Sequence, residues 1–136
     1  MNFVRIIIGL LVTIGAYIQV SDQITSAFSN DGKIVLDGLL NIWASFGMLL
    51  ICPYLIIYVI KDEFTLRLPI GDANRVLVIL GLVVAPLLAI GLYNQSHANV
   101  TNYVECKSER KLSSRYSSRT YAITEDLCQT LKSQND

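Results

Sequence analysis

Residues 38–60 read GLLNIWASFGMLLICPYLIIYVI and contain no charged residue, with Asp37 on one side and Lys61, Asp62 and Glu63 on the other. As a helix rising about 1.5 Å per residue, this stretch covers the roughly 30 Å hydrocarbon core of a bilayer, so it is expected to span a membrane. Working outward, Val4 to Val20 and Val76 to Tyr93 form two further apolar runs. The fold class expected is an all-α membrane protein. Three transmembrane helices at about 4–20, 38–60 and 76–93 make a domain over 1–93, and residues 94–136 form an extramembrane tail.

Composition agrees. The 136 residues are 52% hydrophobic and only 16% charged, against about 25% charged in ordinary soluble domains. Eleven basic residues balance eleven acidic ones, so no overall field favours nucleic acid, which is excluded as a partner. The lipid bilayer is the first partner the sequence names.

The N-terminal run follows a single basic residue, Arg5, as a secretory signal would. Tyr17, Ile18, Gln19 and Val20 supply no small-residue cleavage site, so an uncleaved first helix is expected, with Arg5 holding the N-terminus in the cytoplasm. Residues 21–37 carry three aspartates and one lysine and read as a polar connector turning at Asn30, Asp31 and Gly32. The next loop holds Lys61, Arg67 and Arg75, which places it in the cytoplasm. Pro69 and Gly71 mark its turn, and Asp72 suits an N-cap for the third helix.

Within the spans, Asn41, Ser45 and Cys52 follow helical spacing and form a weakly polar stripe. Such a stripe serves either internal packing or recognition of a foreign transmembrane segment. Gly81, Ala85 and Ala89, spaced by four, form a small-residue strip that lets another helix approach closely. Pro53 and Pro86 each interrupt a helical ladder. No acid or base lies mid-span, where transporters and proton relays need one.

The tail reads as a β-hairpin, Val100 to Cys106 with Arg115 to Ile123 around Ser113 and Ser114, followed by a short helix opened by Thr124, Glu125 and Asp126. So small a unit needs a staple. Cys106 and Cys128 supply it as a disulfide, whereas Cys52 inside the apolar run behaves as a small hydrophobe. His97 is the chain's sole histidine and has no partner at ligand spacing, so neither a metal, a cofactor nor catalysis is expected.

Tyr103-Val104-Glu105-Cys106, with Thr120-Tyr121-Ala122 and Leu127-Cys128, resembles the ending of a family of small uncharacterised multi-span bacterial inner-membrane proteins. The layout is similar to that of immunity proteins that guard the inner membrane against pore-forming toxins. That resemblance implies an inner-membrane location and a toxin, or another membrane protein, as partner, while the loop charges, Arg5 and the cysteine pair place the tail in the periplasm despite its six basic residues. The candidate partner-binding residues are then Asn41, Ser45, Cys52, Gly81, Ala85, Ala89 and the basic tail residues Arg110, Lys111, Arg115 and Arg119. The alternative function is an accessory or assembly subunit of a resident membrane complex.

Overall fold

A computed structural model of the chain describes residues 2–135. Its elements, in order, are α1 (Asn2–Phe28), β1 (Lys33–Asp37), α2 (Leu39–Glu63), α3 (Ala73–Ile79), a π-helical turn (Leu80–Val84), α4 (Ala85–Asn99), β2 (Val104–Glu105), β3 (Lys111–Leu112), β4 (Ser117–Ala122) and α5 (Glu125–Asn135). Three helical stretches are long and apolar enough to cross a membrane, Phe3–Phe28, Leu39–Glu63 and the continuous run Ala73–Asn99. Their large apolar side chains, Phe3, Leu11, Leu82 and Leu87 among them, point outward, which is the pattern of helices solvated by lipid. The chain is a multi-pass membrane protein, mostly helical, with a small disulfide-stapled sheet.

Two compact units make up the chain, residues 1–20 with 43–89 and residues 21–42 with 90–136. In the first, Gly9 of α1 lies against Ile56 of α2 so closely that a Cβ there would come within 2.8 Å of it. Gly81 sits near Ile51, with room for ordinary contact. The loop after α2 closes with Thr65 in the left-handed region (φ 46°) and Leu66 N–H donating to the Lys61 carbonyl at 3.1 Å, a Schellman-type ending that usually employs glycine. Asp72 caps α3, its carboxylate accepting the Asn74 N–H at 3.2 Å, as the sequence indicates.

The π turn ends against Pro86. In that turn the Ala85 N–H reaches back five residues to the Leu80 carbonyl. The next donor in this register would be the N–H of residue 86, which proline lacks, so its own ladder leaves the Gly81 carbonyl unfilled. The indole Nε1–H of Trp43 fills it at 2.9 Å. Lipid offers no such donor, and a neighbouring side chain is how freed carbonyls are satisfied at membrane depth.

The second unit is where the structure departs most from the sequence reading. The connector expected at 21–37 is instead ordered: α1 runs on to Phe28, and Lys33–Asp37 becomes a strand. That strand, β1, pairs antiparallel with β4, Ile34 opposite Tyr121 and Leu36 opposite Arg119. On its other side β4 pairs antiparallel with β2 and, further along, with β3. The expected hairpin is therefore present but shorter, and its central strand is completed by the first loop. Alternation then assigns the faces. Ile34, Leu36 and Tyr121 pack with Val100 on one face, and Ala122 packs with Cys106 and Cys128 on the other.

The Cys106–Cys128 disulfide joins the segment after β2 to α5, with Cα atoms 5.4 Å apart. Closing a loop of 22 residues stabilises the unit by about 3 kcal/mol through chain entropy. Cys52 is a free thiol, half-buried.

Candidate functional site

Four of the six stripe and strip residues are buried within the chain. Asn41 and Ser45 are 8% and 3% exposed, and both Ala85 and Ala89 are fully buried. Asn41 Nδ2 donates to the Ser117 carbonyl at 3.2 Å, and Gly38 N–H donates to the same oxygen at 2.8 Å. Gly81 is half-buried, and its carbonyl is taken by Trp43. Cys52 lines an apolar groove of about 380 Å³ with Gly9, Val12, Leu55 and Ile56, with Arg5 also among its lining residues.

The basic tail residues divide into two groups. Arg110, Lys111 and Arg115 are exposed around the β3–β4 turn, which Ser113 organises by donating its N–H to the Tyr116 carbonyl at 2.8 Å. Beside them Leu112 and Tyr116 are also exposed, at 61% and 44%. Arg110 comes within 3.8 Å of Glu105, an ion pair at the surface worth little by itself. The turn thus gathers three cations, one aliphatic and one aromatic side chain, and arginine and tyrosine are enriched among residues that carry binding energy in protein interfaces.

Arg119 belongs elsewhere. It is half-buried and faces a recess of about 160 Å³ together with Asp37, Tyr93, His97, Leu112 and Tyr121. Asp37 is held in place by two donors, Gln23 Nε2 at 2.9 Å and the Tyr116 hydroxyl at 3.2 Å. Burial pushes the Tyr116 hydroxyl above its ordinary value of 10.0, a hydrogen bond with Ser118 opposes this, and the charge and hydrogen bond of Asp37 add to the rise. His97 meets the ring of Tyr93 edge-on, with centroids 4.4 Å apart.

Nothing in the sequence marks this recess, since its walls come from residues 36–39, 93–97 and 112–121. Only the spacing of four between Tyr93 and His97, which puts both rings on one helical face, hints at it. Among the described residues no group of three or more histidine, cysteine or acidic side chains could hold a metal ion. No family model matches this chain, and neither a curated protein nor a solved structure matches it.

Proposed function

We propose that this protein is a membrane-embedded immunity or inhibitor protein, which protects the bacterial inner membrane from a pore-forming or depolarising toxin by direct binding. The observation that carries the proposal is the β3–β4 turn, where Arg110, Lys111, Leu112, Arg115 and Tyr116 are exposed together on a disulfide-stapled unit. An exposed, cationic and aromatic surface is suited to capturing a protein, and its charge would steer encounter before the partner enters lipid. Asn41, Ser45, Ala85 and Ala89 are committed to contacts within the chain, so recognition falls to this turn and to the outward apolar faces of the helices.

In this proposal the N-terminus is cytoplasmic and the stapled unit periplasmic. Support comes from the disulfide, which persists in an oxidising compartment, and from the basic loop at Lys61, Arg67 and Arg75. An alkaline phosphatase fusion after residue 136 is expected to be active, and an inactive fusion overturns the topology.

Function is tested by co-expressing the protein with a pore-forming toxin and reading membrane potential with a dye. The wild-type chain is expected to prevent depolarisation. Reversing charge at Arg110, Lys111 and Arg115 to glutamate is expected to abolish protection while leaving insertion and the disulfide intact. Depolarisation that proceeds unchanged in the presence of correctly inserted wild-type protein overturns the proposal and favours an accessory subunit.

A further inference from the structure

The recess around Arg119 has features that the proposed binding of a toxin does not use. Among the described residues Arg119 makes no ion pair, although it is half-buried and carries a permanent charge. On the same recess Asp37 presents a carboxylate whose orientation is fixed by Gln23 and Tyr116. Each of its oxygens accepts one of these bonds and keeps capacity for a second. The recess therefore holds one permanent positive charge and one oriented carboxylate, with a histidine and the rings of Tyr93 and Tyr121 beside them. Its volume, about 160 Å³, is close to that of an engineered cavity of about 150 Å³ that accepts benzene, so it suits a small group rather than a macromolecule.

Its depth is also defined. Gly38 and Leu39 stand at the start of the second spanning helix, and Tyr93 and His97 stand in the last two turns of the third. The third, at 27 residues, is about 40 Å long and overreaches the roughly 30 Å hydrocarbon core, which leaves its final turns at the level of lipid headgroups.

We propose that this recess binds the zwitterionic headgroup of an amine-bearing phospholipid of the surrounding bilayer, the phosphate against Arg119 and His97 and the ammonium against Asp37. Arginine matches a phosphate through its forked donors. The carboxylate accepts from a primary ammonium, and a tyrosine ring attracts a cation over its face. A purely anionic lipid leaves Asp37 facing it without compensation. A quaternary choline offers no N–H to the carboxylate. The assignment is independent of orientation and of any toxin.

The experiment is native mass spectrometry of the full-length protein released from detergent containing equal amounts of phosphatidylethanolamine, phosphatidylglycerol and phosphatidylcholine of matched chains. Wild type is expected to retain phosphatidylethanolamine over the other two by about tenfold, the factor that a single charged hydrogen bond supplies. Arg119→Gln is expected to lose that retention, Arg119→Lys to keep only part of it because the charge remains but the fork is lost, and Asp37→Asn to bind lipid with no preference between ethanolamine and glycerol headgroups. An intact disulfide and a single elution peak establish folding for each variant. If Arg119→Gln does not fold, His97→Gln, expected to weaken retention several-fold, takes its place.

Equal retention of all three lipids by wild type, a preference for phosphatidylglycerol, or unchanged retention in the folded Arg119→Gln or His97→Gln variant overturns the proposal. Soluble O-phosphoethanolamine is the second probe. Its retention at the same residues without any lipid preference would assign the recess to a free metabolite-like phosphate amine and overturn the lipid assignment.

Discussion

The side-chain amide of Asn41 and the main-chain carbonyl of Ser117, 76 residues apart, are joined by a 3.2 Å hydrogen bond, and the N–H of Gly38 donates to the same carbonyl at 2.8 Å. This is how the start of a spanning helix is fastened to the strand β4. Replacing Asn41 by leucine removes one donor but leaves the other, so a loss of about 1 kcal/mol is expected in thermal or denaturant unfolding in detergent. Gly38→Ala should cost more, because an added Cβ would overlap the Ser117 hydroxyl. Under the proposed immunity function, protection should fall only in proportion to folded protein. Its selective loss in stable Asn41→Leu would instead make Asn41 a binding residue.

The disulfide predicts a clear thiol count. Under denaturing, non-reducing conditions one cysteine, Cys52, should be alkylated, and after reduction all three. Cys106→Ser is expected to destabilise the sheet unit by about 3 kcal/mol and to raise the protease sensitivity of residues 104–135, whereas Cys52→Ser should change neither. Two or more thiols free in the untreated protein would refute the staple.

What was legible in the sequence followed from the strength of each local signal. Residues 38–60 could be placed because length and hydropathy alone decide a span, and the tail staple because two cysteines stood in a segment too small to hold itself together. Lys33 to Asp37 was hidden. KIVLD does alternate, but five residues ending a polar loop form a strand only with a partner, and that partner, β4, begins 80 residues later. The extension of α1 past Ser21 was hidden for a similar reason, since Gln23 is helical there and bonded to Asp37 of the unforeseen strand. The recess at Arg119 depends on both and so lay beyond local reading. Ala85 and Ala89 were recognised as a close-packing strip, and the structure buries both.

Tyr116 gives the sheet unit a dependence on alkaline pH. Its hydroxyl ionises above 10.0 in the folded chain, chiefly through burial, with the Ser118 hydrogen bond working against the rise and Asp37 adding to it. The folded state then holds this proton more tightly than the unfolded one, so the contribution is complete below about pH 10 and is lost as pH rises through the folded value. Comparing wild type with Tyr116→Phe between pH 8 and 11.5 cancels the titration of lysines. Wild-type stability should fall relative to the variant only above about pH 10, and parallel curves across the whole range would remove Tyr116 as the cause.

The bond from Trp43 to Gly81 exists because Pro86 lacks an N–H, and that dependence can be measured as a coupling. Trp43→Phe keeps the ring's apolar bulk but removes the donor, leaving a carbonyl at membrane depth unfilled, at an expected cost of about 0.6 to 2 kcal/mol. Pro86→Ala restores a ladder donor and lets the helix supply the Gly81 carbonyl itself, either through the π register or by returning to regular α geometry. In the Pro86→Ala background the Trp43→Phe substitution should therefore cost markedly less, giving a coupling of about 0.5 kcal/mol or more in a double-mutant cycle of unfolding in detergent. If the two changes are additive, Trp43 acts through packing alone, and the orphaned carbonyl is satisfied in some other way.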